Sequence, residues 1–152
     1  MGWDIETEIV IAAPPAAVWQ VLADFPKYPE WNPFILKVDG AVRSGAAVRY
    51  RFEFPRGVRI WAVAHILAFE PDRELVWTSH ALSDVIFRGD HHFRIEPVET
   101  GSLFRHGEHF SGALVPLAAP ILRLQGPDIY AALNRALKQR VEAGAAPVGR
   151  SE

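Results

Sequence analysis

Hydrophobic and polar residues alternate along much of the chain between residues 5 and 111. In residues 47–54, for example, Val48, Tyr50 and Phe52 fall on one side of an extended chain, and arginine and glutamate fall on the other. A period of two is typical of a strand with one buried face. Breaks at Gly, Pro, Asn and Asp separate such stretches. The pattern predicts strands at 6–11, 35–38, 47–54, 59–69, 74–79, 85–95 and 103–112.

A helical period replaces this alternation in two places. After two prolines, Val18, Trp19 and Leu22 recur at helical spacing, which predicts a short amphipathic helix at 15–23. Residues 112–142 form the only stretch long enough for a major helix, and its second half carries an apolar stripe. We expect Gly126-Pro127 to break or kink this helix. The stripe is formed by Ile129, Leu133, Leu137 and Val141.

Residues 24–34 fit neither period. This segment contains three prolines and four aromatic residues within eleven positions, which prevents an ordinary strand or a long helix. It predicts a rigid turn or single helical turn whose rings lie under the domain.

The order of elements predicts an α+β architecture. Six strands in meander order follow the first strand and short helix, and sequential hairpins make a sheet mostly antiparallel. The long helix must bury its apolar stripe, and the concave face of the sheet is the available surface. We expect one domain over residues 1–143 and a disordered tail at 144–152. A solid core or a cavity can lie between helix and sheet.

Composition excludes several classes of function. The chain of 152 residues has a formal net charge of -2 and no basic run, which argues against a nucleic-acid partner. No apolar run approaches the length of a membrane span, and the acidic N-terminus does not resemble an export signal. The chain has no cysteine, which excludes disulfides and thiolate ligands. No glycine-rich phosphate loop is present. We therefore expect a cytoplasmic protein without a cofactor or an integral membrane segment.

Several segments resemble one known family. The most specific is Tyr-Pro-Glu-Trp-Asn-Pro-Phe at 28–34, and weaker matches occur at 11–19, 91–93, 108–112 and 132–138. Together they resemble the START-like, or SRPBCC, superfamily, and within it the polyketide cyclase/dehydrase and lipid-transport branch. The resemblance implies a helix-grip fold, in which a seven-stranded antiparallel sheet curls around the C-terminal helix and leaves a hydrophobic tunnel. The superfamily includes cyclases, lipid carriers and hormone receptors, so the resemblance does not select one reaction.

Ionisable residues occur on strand faces that are otherwise aromatic. His106 and Glu108 share a face with Phe104 and Phe110, and His91 occupies the corresponding face of the preceding strand. Buried polar groups need partners, so these residues indicate a pocket or a self-satisfied Glu–His pair. A third reading is a register slip that places Glu108 outside. In apolar surroundings the pKa of Glu108 would rise, and Glu108 could act as acid or base with His91 or His106.

The same three residues could in principle approach a metal across paired strands. Neighbours on one strand point to opposite sides, however, so the dense run around His106 and His109 does not form a ligand set. We predict no metal site.

The sequence is compatible with three functions. The chain binds a small lipophilic molecule between sheet and helix, it is a cyclase/dehydrase-type enzyme, or it is an interaction protein with a filled core. Its oligomeric state stays open, and a homodimer is one alternative. The predicted ligand-binding residues are Trp31, Phe34, Phe52, Trp77, Phe87, His91, Phe93, His106, Glu108, Phe110, Gln125 and Ile129.

Overall fold

The computed structural model describes residues 2–145, which form seven strands, three α-helices and one 3-10 turn. The strands are β1 (Trp3–Ile11), β2 (Ile35–Asp39), β3 (Ala47–Glu53), β4 (Arg59–Glu70), β5 (Glu74–Ala81), β6 (Phe87–Val98) and β7 (Gly101–Ser111). The helices are α1 (Pro15–Ala23), α2 (Tyr28–Trp31) and α3 (Val115–Ala145), and the 3-10 turn is Phe25–Lys27.

The seven strands form one antiparallel sheet in the order β1-β7-β6-β5-β4-β3-β2. Strands β2 to β7 are a meander of hairpins, and β1 adds to the sheet beside β7. Register shifts at Ile35/Lys37 and Ile66/Ala68 interrupt two of the ladders, and such irregularities bend and twist a sheet. The predicted α+β class and helix-grip fold are confirmed.

The second half of α3 packs on the sheet as its stripe predicts. Leu133, Leu137 and Val141 are buried there, together with side chains of α1 and of the central strands. Helix α1 lies at the same end of the sheet, where Val18 and Leu22 are buried. The apolar faces of both helices therefore close one end of the domain.

Of the expected break or kink at Gly126-Pro127, the break is wrong, because α3 runs continuously from Val115 to Ala145 with Pro120 and Pro127 inside it. Gly126 is buried against β1, where an added Cβ would collide with Ile5. Its role is therefore close approach to the sheet. The helix also includes residues 144 and 145, which corrects the start of the predicted tail; residues 146–152 lie outside the described part.

The aromatic segment forms the predicted rigid turn, as a 3-10 turn followed by α2. Tyr28 is buried, and its hydroxyl donates to the Leu22 carbonyl at 2.5 Å. Asn32 then ends the turn, because its Oδ1 accepts from the backbone N–H groups of Phe34 and Ile35 at 2.9 and 2.8 Å. Within residues 2–145, no helix combines the length and apolar character needed to cross a bilayer.

Candidate functional site: a cavity between the sheet and α3

A cavity of about 300 Å³ lies between the inner face of the sheet and the middle of α3. Its wall is mainly aromatic and aliphatic. Strands β3 to β7 provide one side, and α3 provides the other through residues such as Leu122 and Ile129. Phe54, Ile60 and Ile121 also line it and are partly exposed, so the cavity opens to solvent near them.

Most residues predicted to bind a ligand lie in this wall. Two do not. Trp31 lines a separate cleft with Lys27 and Arg140, and Phe93 is buried behind His91, with 4.6 Å between the ring centroids. The predicted residues that do line the cavity are Phe34, Phe52, Trp77, Phe87, His91, His106, Glu108, Phe110, Gln125 and Ile129.

Strand register brings the ionisable residues together. His91 on β6 lies directly opposite Glu108 on β7, and His106 lies opposite Phe93. Because side chains alternate along a strand, His91, His106 and Glu108 all point to the concave face. The alternative in which Glu108 faces outward is therefore excluded. The side chains of His91 and Glu108 each remain 15% exposed, and both line the cavity.

Glu108 has two polar neighbours on opposite elements. Tyr130 on α3 donates its hydroxyl to Glu108 Oε2, and His91 Nδ1 lies 3.3 Å from the same oxygen. Glu108 Oε1 points toward Gly89 on β6, where an added Cβ would collide with it. The carboxyl group therefore lies between sheet and helix at the inner wall of the cavity.

A chain of hydrogen bonds continues from His91 toward β1. His91 Nε2 lies 2.6 Å from His106 Nε2, and the two ring planes are inclined by 16°. His106 Nδ1 lies 2.8 Å from Asn134 Oδ1, and Asn134 Nδ2 donates to Thr7 Oγ1 at 2.8 Å. Thr7 in turn donates to the His106 carbonyl oxygen at 2.7 Å. Every polar atom on this path has a partner, as buried groups require.

Burial shifts these groups toward their uncharged forms. It raises the pKa of Glu108 to about 7; the hydrogen bond from Tyr130 opposes the rise, and nearby Asp90 adds to it. Burial lowers the pKa of His106 to about 3 despite its bond to Asn134. Burial also lowers the pKa of His91 well below its ordinary value, and repulsion from a protonated His106 adds to this.

Sequence reasoning missed Tyr130, Asn134 and Thr7. Tyr130 and Asn134 are four residues apart and flank the predicted apolar stripe of α3, so helical spacing could have placed both on the inner face. Thr7 gave no comparable signal, because its partner Asn134 lies far away in the sequence. This polar chain, which runs from His91 through His106 and Asn134 to Thr7, is therefore built by tertiary contacts that no local sequence pattern encodes.

The three residues that could approach a metal ion across paired strands contact one another instead. Among residues 2–145, no group of three histidine, aspartate or glutamate side chains is arranged to hold a metal ion. The ring nitrogens of His91 and His106 face each other at hydrogen-bonding distance.

Comparison with known proteins identifies the family. The family model described as "Polyketide cyclase / dehydrase and lipid transport" matches residues 2–143. The chain belongs to this family. The match covers both the sheet and nearly all of α3, so the resemblance expected from the short motifs is confirmed. No curated protein matches the chain.

Solved structures show the same fold at low sequence identity. The Zhui aromatase/cyclase from Streptomyces sp. R1128 has a TM-score of 0.80 at 18% identity, covering 98% of this chain and 99% of that one. The protein TTHA0849 from Thermus thermophilus has a TM-score of 0.75 at 15% identity, covering 95% of this chain and 100% of that one.

A third similar structure is larger than this chain. The di-domain aromatase/cyclase StfQ of the steffimycin biosynthetic pathway has a TM-score of 0.78 at 16% identity. The match covers 95% of this chain and 52% of StfQ, so this chain spans about half of that protein. Because the sequence identities to these three structures are so low, the structural similarity establishes only the fold.

Proposed function

We propose that this protein binds a small, largely hydrophobic molecule, such as a lipid, an aromatic compound or a polyketide-like compound, between the sheet and α3. The observation that carries the proposal is the open cavity of about 300 Å³ at the place where a filled core would otherwise continue. An apolar wall with a few converging polar groups is the usual composition of a small-molecule site. Family membership supports the same function.

Binding can be tested by native mass spectrometry of the freshly purified protein, compared with the same sample after denaturation. A retained ligand appears as extra mass that is lost on denaturation. Binding of 2-naphthol, followed by isothermal titration calorimetry, provides a second readout when the protein is isolated empty.

Two adjacent positions on β4 provide a matched pair of variants. Ala62 lines the cavity, whereas Val63 is 47% exposed. Alternation along the strand places Val63 on the outer face of the sheet. Ala62→Trp should fill part of the cavity and weaken binding at least tenfold, whereas Val63→Trp should leave binding unchanged. Equal affinities in the two variants, or no binding by the wild type in either assay, would reject the proposal.

A second candidate function is acid–base catalysis of the cyclase/dehydrase type, carried by Glu108. The observation that favours it is a carboxyl group at the cavity wall whose pKa is raised to about 7, beside His91 at 3.3 Å. An acid whose pKa lies near neutrality can both donate and recover a proton. In a dehydration, Glu108 would protonate the departing hydroxyl, which leaves as water, and the proton lost from the adjacent carbon would restore the acid.

Catalysis and binding can be separated with Glu108→Gln. This variant keeps the shape of the side chain but cannot transfer a proton. Under the catalytic hypothesis it should lose at least about 100-fold in turnover, the usual contribution of a general acid, while ligand affinity stays within a few fold. Unchanged turnover would exclude Glu108 as the acid, and a parallel loss of affinity would show a binding role instead.

A further inference from the structure

The direction of each hydrogen bond in the polar chain follows from one backbone carbonyl. The His106 carbonyl oxygen can only accept, so the Thr7 hydroxyl must donate to it. Thr7 Oγ1 then accepts from Asn134 Nδ2, which leaves the Asn134 Oδ1 acceptor facing His106. His106 Nδ1 must therefore carry a proton. The tertiary structure thus selects the Nδ1–H tautomer of His106.

The same reasoning extends to His91 and Glu108. A neutral His106 with its proton on Nδ1 has a lone pair on Nε2, so the His91 Nε2 atom, 2.6 Å away, must be the donor. The same contacts would fit a charged pair, but burial in an apolar wall to which residues 2–145 contribute no lysine or arginine favours an uncharged His91 ring. A neutral His91 has its own lone pair on Nδ1, directed at Glu108 Oε2 at 3.3 Å. If Glu108 were ionised, a lone pair on Oε2 would face the lone pair on His91 Nδ1, and the two would repel each other. A proton on Oε2 removes this repulsion.

We propose that Asn134, His106 and His91, anchored by Thr7, are positioning residues that hold Glu108 as a neutral carboxylic acid whose Oε1 is the acceptor offered to a ligand hydroxyl. Within residues 2–145, no hydrogen-bond donor contacts Oε1, whereas Oε2 already accepts from Tyr130. Because aromatic side chains line much of the cavity and Oε1 lacks a donor among the described residues, the ligand class that fits is an aromatic molecule bearing a phenol or enol hydroxyl. This ligand class rests on the proposed binding function, but the proton order of the empty site does not.

The other charged or titratable groups near Glu108 do not oppose this assignment. No lysine or arginine of residues 2–145 lines the cavity, so apart from histidine no cation is available to stabilise a carboxylate. Asp90, beside His91 on β6, disfavours a second negative charge. The remaining titratable groups that face Glu108 or line the cavity are Tyr130 on α3, Tyr50 on β3, His80 on β5 and His106 on β7.

Infrared spectroscopy of the ligand-free protein tests the proton order directly. At pH 6 the wild type should show the C=O stretching band of a buried, protonated carboxyl, and Glu108→Gln should lack it. Nitrogen-15 NMR should show His106 protonated only at Nδ1 and His91 protonated only at Nε2. The variants His106→Gln and His91→Gln assign these two signals. A carboxylate at Glu108 at pH 6, or a proton on His91 Nδ1, overturns the proposal.

Asn134→Asp distinguishes a positioning residue from a merely structural one. A carboxylate beside His106 Nδ1 favours a doubly protonated His106, whose Nε2 then donates to His91. His91 must in turn direct an N–H at Glu108, which reverses the chain and favours the ionised carboxylate. The infrared titration midpoint of Glu108 should fall by about one pH unit or more. Asn134→Leu serves as the control for lost packing. A stable Asn134→Asp protein with an unchanged midpoint contradicts the positioning role.

A matched pair of ligands tests the acceptor. 2-Naphthol and 2-methoxynaphthalene have the same ring and oxygen, but only the naphthol can donate. Near pH 6 the naphthol should bind about tenfold more tightly, as expected for one hydrogen bond. Equal affinities overturn the ligand class and leave the binding function intact. Failure of both ligands and of any retained molecule to bind rejects the binding function, while the infrared result still decides the proton order.

Discussion

The two ends of the space between sheet and α3 differ sharply. At one end, Leu137 and Val141 of α3 pack with α1 and the sheet into a closed hydrophobic core. At the other end, a cavity lies between the same sheet and helix, and residues such as Leu117 and Leu124 lie exposed on α3. Between them lies the polar chain that joins His106 and Asn134.

Under the proposed function, α3 serves two purposes along its length, core packing at one end and ligand binding at the other. Filled interiors contribute stability through close packing, whereas a cavity forgoes those contacts. The closed end therefore contributes the larger packed core, and the open end combines a smaller buried cluster with space for a ligand; the smaller cluster is formed by Ile5, Phe110, Val115 and Tyr130. The following predictions test this division.

The largest expected effect belongs to the closed end. Leu137 is 0% exposed, so Leu137→Ala should leave a cavity and lower the free energy of unfolding by about 2–5 kcal/mol. Leu124 is 77% exposed on the same helix, and Leu124→Ala should change stability by less than about 0.5 kcal/mol. Urea denaturation measures both. Similar losses in the two variants would contradict the division of α3.

The next effect concerns Glu108 and depends on pH. Its folded-state pKa of about 7 lies above the ordinary 4.5, so its contribution to stability is present at low pH and is lost as pH rises through about 7. Glu108→Gln removes this dependence. The variant should match the wild type near pH 4 and exceed it by up to about 3 kcal/mol at pH 8, from roughly 1.4 kcal/mol per pKa unit.

The histidines titrate in the opposite sense, and because His91 contacts Glu108, the comparison measures the titration of this coupled pair. Burial lowers the pKa values of His91 and His106, so their contribution is present above pH 6.5 and is lost as pH falls. Both proteins contain both histidines. Urea denaturation from pH 4 to 8 should therefore give a stability difference that grows with pH, and a constant difference would argue against a buried carboxyl.

The closed core can be predicted from the sequence more fully than the polar chain beside the cavity. Alternation and the stripe through Leu133, Leu137 and Val141 predict the strands, the inward faces and the closed core, because burial imposes those periods locally. The Gly-Pro pair at 126–127 led to the wrong prediction of a helix break, because glycine is needed there for close approach to Ile5. Asn134 and Thr7 escaped prediction, since their partners lie far apart in the chain. Cytoplasmic location stays a prediction, and the oligomeric state stays open.

A smaller effect is expected at Gly89, which lets the Glu108 carboxyl pack closely against β6. An added Cβ would collide with Oε1 and displace the carboxyl from Tyr130, so Gly89→Ala should cost about 1–3 kcal/mol. The cost should shrink when Glu108 is also replaced by alanine, because the obstructing group is then gone. A double-mutant cycle in urea measures this coupling. Additive effects would show that the collision is with other atoms.

The smallest effect should appear at the cavity mouth, in affinity and not in stability. Ile121 and Leu117 are both exposed on the first half of α3, but only Ile121 lines the cavity. Ile121→Ala removes apolar surface that a bound ligand would cover, and should weaken 2-naphthol binding about two- to fivefold. Leu117→Ala removes similar surface outside the cavity and should leave affinity unchanged. If calorimetry found equal losses at both positions, the ligand would lie on the outer face of α3, and the open end would not be its binding site.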